Sequence, residues 1–256
     1  MMRLPLIGFG ATLALMLMLW RRQLTTRNAT SVDVAWSWSV AGLFVFYGVL
    51  SNGDPARRAL VALLGAVWGG RLGWYLWSAR VRVHESEDGR YAALRREWGA
   101  DAPARFFRLY VAQAVAATLC SLPGLAAMRG GPLDAWAVAG AAVWLVAVAG
   151  ESFADAQLAA FRADPTTRGG VCGVGLWRFS RHPNYFFEWL HWCAYVLIGH
   201  GAWITWLGPI GMLWLLTRVT GIPHTERQAL RSRGDAYRAY MRTTSAFVPW
   251  PPRREA

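Results

Sequence analysis

Apolar residues follow one another along this chain in runs of nearly 20, bounded by charge, glycine or proline. An α-helix needs about 20 apolar residues to cross the hydrocarbon core of a bilayer. Seven runs meet that length and predict seven transmembrane helices: Leu4–Trp20, Val32–Leu50, Ala59–Ser78, Phe107–Ala127, Leu133–Phe161, Tyr185–His200 and Trp203–Gly221. The sixth and seventh are joined only by a tight turn around Gly199 to Gly201, and the fifth is long enough to project beyond the membrane. The first run is followed by Arg21 and Arg22 and lacks the small-residue cleavage site of a signal peptide, so it reads as a retained span. The connection from Ala79 to Arg108 mixes both charge signs at helical spacing and predicts a short surface helix. With no internal repeat and no low-complexity linker, residues 1–256 read as one all-α, polytopic membrane domain.

Composition agrees with the pattern. The chain is 55% hydrophobic and 16% charged, whereas a soluble domain carries about 25% charged residues. Many of its 16 tryptophans stand near the ends of the apolar runs, as in the aromatic belts at headgroup level. The net charge of +12 comes entirely from arginine, which suggests either nucleic acid or a membrane as partner. Placement separates the two. Of 27 arginines, 22 fall in the connections after spans one, three and five or at and beyond the end of span seven. Arg3, Arg57, Arg58 and Arg129 lie on the other side, and Arg71 lies within span three. The positive-inside rule then puts the N-terminus outside and the C-terminus in the cytoplasm, and the excess needs no nucleic acid. Cys120, Cys172 and Cys193 form no CxxC pair and read as packing residues.

Ionisable groups within membrane spans are costly, and each is a candidate functional group. Asp33 opens span two, Arg71 lies in span three, Glu151 and Asp155 stand one helical turn apart in span five, and Glu188 is near the start of span six. His224 and Glu226 follow span seven. All fall toward the cytoplasmic side, which points to a polar cavity there; a set of inter-helix salt bridges would use the same residues. Spans two and three carry Trp36, Trp38, Trp68, Trp74, Tyr75 and Trp77, which suit lipid contact, packing or an apolar substrate pocket. The five histidines include no HxxxH pair, so no metal or haem site is indicated, and His200 at the outer turn reads as structural.

The densest chemical signal is GLWRFSRHPNYFFEW, residues 175–189. Pro183 predicts a helix beginning near His182, since proline is well tolerated in the first helical turn. Asn184 and Glu188 then share a face, with Arg178 and Arg181 ahead of a helix N-terminus that attracts anions. A nucleotide phosphate and a lipid phosphate both fit this description.

The segments SRHPNYFFEW, ESFADAQLAAFR, EDGRY and RLGWYLWSAR, with the ending GIPHTERQAL…YRAYMRTTSAFVPWPP, together resemble bacterial membrane proteins of unknown function related to steroid 5α-reductases. The resemblance runs from about Ser31 to Pro252. RHPNY followed by glutamate is shared with a broader superfamily that includes isoprenylcysteine and phospholipid methyltransferases, while EDGRY with the TSAFVPWPP ending points to the reductase-like branch. The resemblance implies a seven-span bundle in the bacterial inner (cytoplasmic) membrane that binds NADPH from the cytoplasmic side. Hydride then passes to the β-carbon of an enone whose carbonyl is held by an acid and a tyrosine.

By the same resemblance, Asp155, Arg162, Asn184 and Glu188 are cofactor contacts, with Arg178, Arg181, Tyr185 and His224 as neighbours. Glu151 stands where the reductases have asparagine. Their second-span glutamate is absent, and Asp33 is the nearest candidate for the acid. A carboxyl group in a low-dielectric pocket stays protonated more readily and can donate a hydrogen bond to a carbonyl. For the tyrosine, Tyr75 is preferred to Tyr91, which belongs to the polar EDGRY loop. The leading expectation is an NADPH-dependent reductase of a carbon–carbon double bond conjugated to a carbonyl in a lipid or steroid-like substrate. The alternatives are an S-adenosylmethionine-dependent methyltransferase and a cofactor-free protein that binds or transports lipid.

Overall fold

Inside a bilayer no water is available to an unpaired N–H or C=O, so apolar spans must satisfy their own backbone, and the helix does this within one segment. The computed structural model describes residues 3–82, 86–219 and 221–253, and the regular elements among them are all helical. Five helical stretches are long and apolar enough to cross a membrane: Arg3–Thr26, Ser31–Leu50, Pro55–Val81, Gly89–Ala127 and Ala135–Ala163. The chain is therefore an all-helical, multi-pass membrane protein. It divides into two compact units, residues 1–134 with 199–207, and residues 135–198 with 208–256.

The first unit contains α1 (Arg3–Thr26), α2 (Ser31–Leu50), α3 (Pro55–Leu76), α4 (Gly89–Trp98) and α5 (Ala102–Ala127). The surface helix expected between spans three and four is α4; residues 83–85 of that connection, and Arg254 among the counted arginines, lie outside the described residues. Between membrane helices the hydrophobic effect adds little, and small residues permit the close approach on which packing depends. Phe44 of α2 fills the space beside Gly65 of α3 and Gly124 of α5, and in each case a β-carbon would overlap its ring. Gly73 likewise makes room for Trp38, and Gly69 lies against the Ser37 carbonyl. At the start of α3, Asp54 accepts a hydrogen bond from the Arg57 backbone N–H at 3.0 Å. The Arg57 side chain, 1% exposed, donates to Gly131 O at 2.7 Å, Pro132 O at 2.9 Å and Asp134 Oδ2 at 2.9 Å.

The second unit contains α6 (Ala135–Ala163), α7 (Pro183–Ile198), nearly all of α8 (Leu207–Trp214) and α9 (Ile222–Thr243). Helix α6 packs along α7, with Gly140 against Ile198 and Gly150 against Phe187. Helix α7 begins at the expected proline but has 16 residues, about 24 Å at 1.5 Å per residue, less than the roughly 30 Å hydrocarbon core. The expected seventh span is not one helix. It is a 3₁₀ turn at Trp203–Trp206, the eight residues of α8 and a π-helical turn at Leu215–Val219. Pro209 sits in the first turn of α8, where a missing N–H costs nothing; its carbonyl accepts the indole N–H of Trp189 at 3.1 Å. Five of the seven expected spans thus form long membrane-crossing helices. Helix α9 is arginine-rich and bends at Gly234, whose φ of 52° falls in a region that glycine enters without steric penalty.

The Phe44 contact gives a test. Gly65→Ala and Gly124→Ala force the ring to shift and should each cost about 1–3 kcal/mol, read as a lower thermal midpoint of the detergent-purified protein. Gly10→Ala, with nothing within 4 Å of its β-carbon, should leave the midpoint unchanged or slightly raised. Equal effects at all three positions would remove the packing explanation.

Candidate functional site

Each unit holds one polar assembly built from the motifs singled out in the sequence. In the first unit it forms around Asp33, in the first turn of α2. Tyr91 donates its phenol proton to Asp33 Oδ1 at 2.6 Å, and Arg90 and Arg80 donate to Oδ2 at 2.7 and 3.2 Å. Arg90 also donates to Asp88 Oδ1 at 3.1 Å. Burial opposes the charge of Asp88, but the side-chain and backbone hydrogen bonds from Arg90, with the charges of Arg90 and Arg80, hold its carboxyl below the ordinary range. The neighbouring Glu87 accepts two hydrogen bonds from Arg95, at 2.7 and 3.0 Å, and one from the Ala29 backbone N–H at 2.8 Å. Arg95 bonds Gln23 of α1 as well, at 3.0 Å, and lies 4.5 Å over the Phe106 ring. The segment EDGRY, with Arg95, therefore ties α4 to the end of α1 and the start of α2.

Two expectations, for Tyr75 and for Asp33, bear on this arrangement. The tyrosine beside Asp33 is Tyr91, which is 5% exposed, and not Tyr75, which is 52% exposed on α3. The EDGRY segment folds back over α2 because Glu87 and Asp88 each bond the Ala29–Thr30 turn, Asp88 N–H donating to Thr30 Oγ1 at 2.8 Å. Asp33 itself stands among three donors, the Tyr91 phenol and the guanidinium groups of Arg80 and Arg90, and not in an apolar pocket.

In the second unit the RHPN segment divides into two faces. On one, Asn184 donates to Asp155 Oδ1 at 3.0 Å, which joins the head of α7 to α6, and its own carbonyl accepts the Tyr185 N–H at 3.0 Å. One turn further on, Glu188 Oε1 accepts the Trp192 indole N–H at 3.2 Å. The Glu188 backbone carbonyl lies 2.7 Å from His191 Nδ1, and since a carbonyl only accepts, that nitrogen carries the proton. Glu151, a turn before Asp155 on α6, is buried.

On the other face, Arg181 and His182 meet α9. Arg181 donates from Nε and Nη2 to Glu226 Oε1 at 2.8 and 2.7 Å, and from Nη1 to the carbonyls of Met241 and Thr244 at 3.2 and 2.6 Å. His182 Nε2 lies 3.3 Å from the same Glu226 oxygen, and its ring stacks on Tyr185 at 5.2 Å. The Tyr185 hydroxyl is 3.2 Å from Thr225 Oγ1. The C-terminal segment completes the clasp. Arg181 N–H donates to Ser245 O at 2.8 Å, Ser180 Oγ to Phe247 O at 2.8 Å and Trp250 N–H to Phe179 O at 2.9 Å. Tyr240 donates its hydroxyl to the Trp177 carbonyl. Arg181, expected as a donor to phosphate, has these hydrogen bonds within the unit instead, which makes it the fastener of the C-terminal segment.

Arg162, Arg178 and His224 are exposed, and neither arginine makes an ion pair among the described residues. Burial pushes the Cys172 thiol up, against a hydrogen bond from the Val174 backbone and the charge of Arg162, which places Arg162 beside the connection leading to α7. The structure thus joins Asp155, Asn184 and the turn bearing Glu188, joins Tyr185 to α9, and leaves Arg162, Arg178 and His224 facing outward. Glu226 entered the sequence reading only as a charge following span seven, beside His224. Its role as the partner of both Arg181 and His182 had no local signal, because 44 residues separate it from His182.

Comparison with known proteins matches residues 19–244 to the family described as "Protein of unknown function (DUF1295)". An uncharacterised protein of Schizosaccharomyces pombe is 26% identical over 266 residues, covering 90% of this chain and 75% of its own length. No solved structure matches the chain.

The clasp has a pH signature. Burial works against the Glu226 charge, but hydrogen bonds from His182 and Arg181 hold its carboxyl below the ordinary value. A depressed acid contributes stability that is present above the unfolded value, about 4.3, and is lost as pH falls through the folded value. The thermal midpoint should therefore fall as pH is lowered through and below about 4, and Glu226→Gln should start lower at neutral pH and lose part of that acid-side slope. An unchanged slope in the variant would show that Glu226 is not the titrating group.

Proposed function

Because the chain belongs to the DUF1295 family, whose description leaves the chemistry to be read from the site, we propose that it is a membrane-embedded, NADPH-dependent reductase. It acts on a carbon–carbon double bond conjugated to a carbonyl, in a lipid or steroid-like substrate. Its setting in this reading is the bacterial cytoplasmic membrane, with the arginine-rich connections facing the cytoplasm.

The observation that carries the reading is the bond between Tyr91 and Asp33. Reduction of an enone develops negative charge on the carbonyl oxygen, and a phenol that turns its proton from Asp33 to that oxygen stabilises the charge as it forms. Asp33, held by Arg80 and Arg90, fixes the phenol in the meantime and keeps its own charge compensated. Transfer of a methyl group to a thiolate or an amine has no need of such a pair, which favours reduction over the methyltransferase alternative.

The second unit offers groups suited to a dinucleotide. Asp155 and Glu188 accept hydrogen bonds from ribose hydroxyls or a carboxamide, Asn184 both donates and accepts, and the outward guanidinium groups of Arg162 and Arg178 suit phosphate oxygens. When bound, NADPH supplies the hydride. Glu188, already fixed by Trp192, and Asp155, fixed by Asn184, hold their acceptor oxygens in place before a ligand arrives.

The test uses purified full-length protein in detergent. It should bind NADPH saturably, and Asn184→Ala should abolish that binding while leaving the thermal midpoint within a few degrees. Tyr91→Phe should retain NADPH binding and lower the rate of NADPH oxidation with an enone steroid by about 10²–10⁴-fold. Saturable binding of S-adenosylmethionine without NADPH would overturn the reductase reading, and binding of neither would favour a lipid-binding role.

A further inference from the structure

Apart from the two polar assemblies, the first unit holds a cavity of about 520 Å³ at the opposite end of its helices from Asp33. Its walls are Pro5 and Leu6 from the start of α1, Leu122, Leu125 and Ala126 from the end of α5, and Ala202, Trp203 and Ile204 from the 3₁₀ turn. The volume is within the roughly 300–1,000 Å³ range of small-molecule sites. One charged residue lines it, Arg129, two residues beyond the end of α5.

The four arginines on this side of the membrane differ in their partners. Arg57 is buried and bound to Gly131, Pro132 and Asp134, and Arg58 donates to Ser51 O at 2.6 Å and to Val49 O at 3.3 Å. Arg129 makes no ion pair among the described residues, and the exposed Arg3 lies two residues before the lining residue Pro5. Trp203, 76% exposed at the rim, is the residue type that settles at headgroup level. An apolar lumen with a cation at its mouth, set at the end of membrane-crossing helices, matches one molecule in charge and polarity together: a phospholipid with an acyl chain inside and an anionic headgroup outside.

We infer that this cavity is a binding site for one acyl chain of an anionic phospholipid, with the headgroup held by Arg129. The site is separate from the proposed reductase chemistry and does not depend on it. Its occupant wedges the end of α5 against the 3₁₀ turn, the contact by which residues 199–207 join the first unit.

Native mass spectrometry of the full-length protein, titrated with phosphatidylglycerol and with phosphatidylcholine of the same chains, tests the inference. Phosphatidylglycerol should bind at least about fivefold more tightly, the weight of one basic side chain at an anionic headgroup. Arg129→Gln should reduce the preference to near unity, and Ala126→Phe, which fills the lumen, should abolish retention of both lipids; if that variant does not fold, Leu122→Trp serves in its place. Equal affinity for the two lipids in the wild type, or an intact preference in Arg129→Gln, would overturn the site. So would a stable dimer that retains no lipid and is broken by the lumen-filling variant, since the cavity would then receive a second copy of the chain.

Discussion

A guanidinium group carried out of water must be met by acceptors, because an unpaired buried charge costs several kcal/mol. That requirement organises this chain more than any single apolar contact. Arg57, Arg95 and Arg181 are each withdrawn from solvent, and each finds a carboxylate together with backbone or amide oxygens. In every case at least one bond joins a helix to a connection. Arg57 fixes the turn after α5, Arg95 fixes the turn between α1 and α2, and Arg181 fixes the residues after α9. The helices are set by the apolar runs; the connections are set by the arginines.

The hydrogen bonding at Asp33 follows from the same requirement. Its carboxyl oxygens meet the guanidinium groups of Arg80 and Arg90 and the phenol of Tyr91. An aspartate, shorter than a glutamate by one methylene, reaches the phenol from the first turn of α2 because α4 brings Tyr91 to it. The EDGRY loop is polar because it carries the partners of Asp33 and of the Ala29–Thr30 turn.

The helical architecture was legible from run length alone, since about 20 apolar residues have one stable conformation in hydrocarbon. The start of α7 was legible from Pro183. The two later spans were less so. Apolarity from Trp203 to Gly221 says that the segment belongs in or near a membrane, but not that its helix passes from a 3₁₀ turn through eight α-helical residues to a π-helical turn. The shared face of Asn184 and Glu188 was legible from their spacing, but the bond from Asn184 to Asp155 was not, because it joins two helices across 29 positions of sequence. The choice of Tyr75 over Tyr91 illustrates what a sequence withholds: the distance along the chain from Asp33 to Tyr91 is 58 residues, and only the fold of the Ala29–Thr30 turn against Glu87 and Asp88 brings them together. Arg181 likewise has the composition of an anion site, and its use as a fastener depends on carbonyls 60 and 63 residues later.

The clasp at Arg181 also bears on how the protein is made. Its acceptors at Met241 and Thr244 are translated 60 and 63 residues after it, so at 5–20 residues per second the arginine waits about 3–13 s for its carbonyls. During that interval Arg181 lacks those two acceptors. An arginine-rich segment waiting at a membrane surface can rest against lipid phosphates, which hold it on the correct side of the bilayer until the C-terminal residues arrive. The clasp therefore joins residues far apart in order of synthesis: the bonds that fix Arg181 form only after Thr244 has been added.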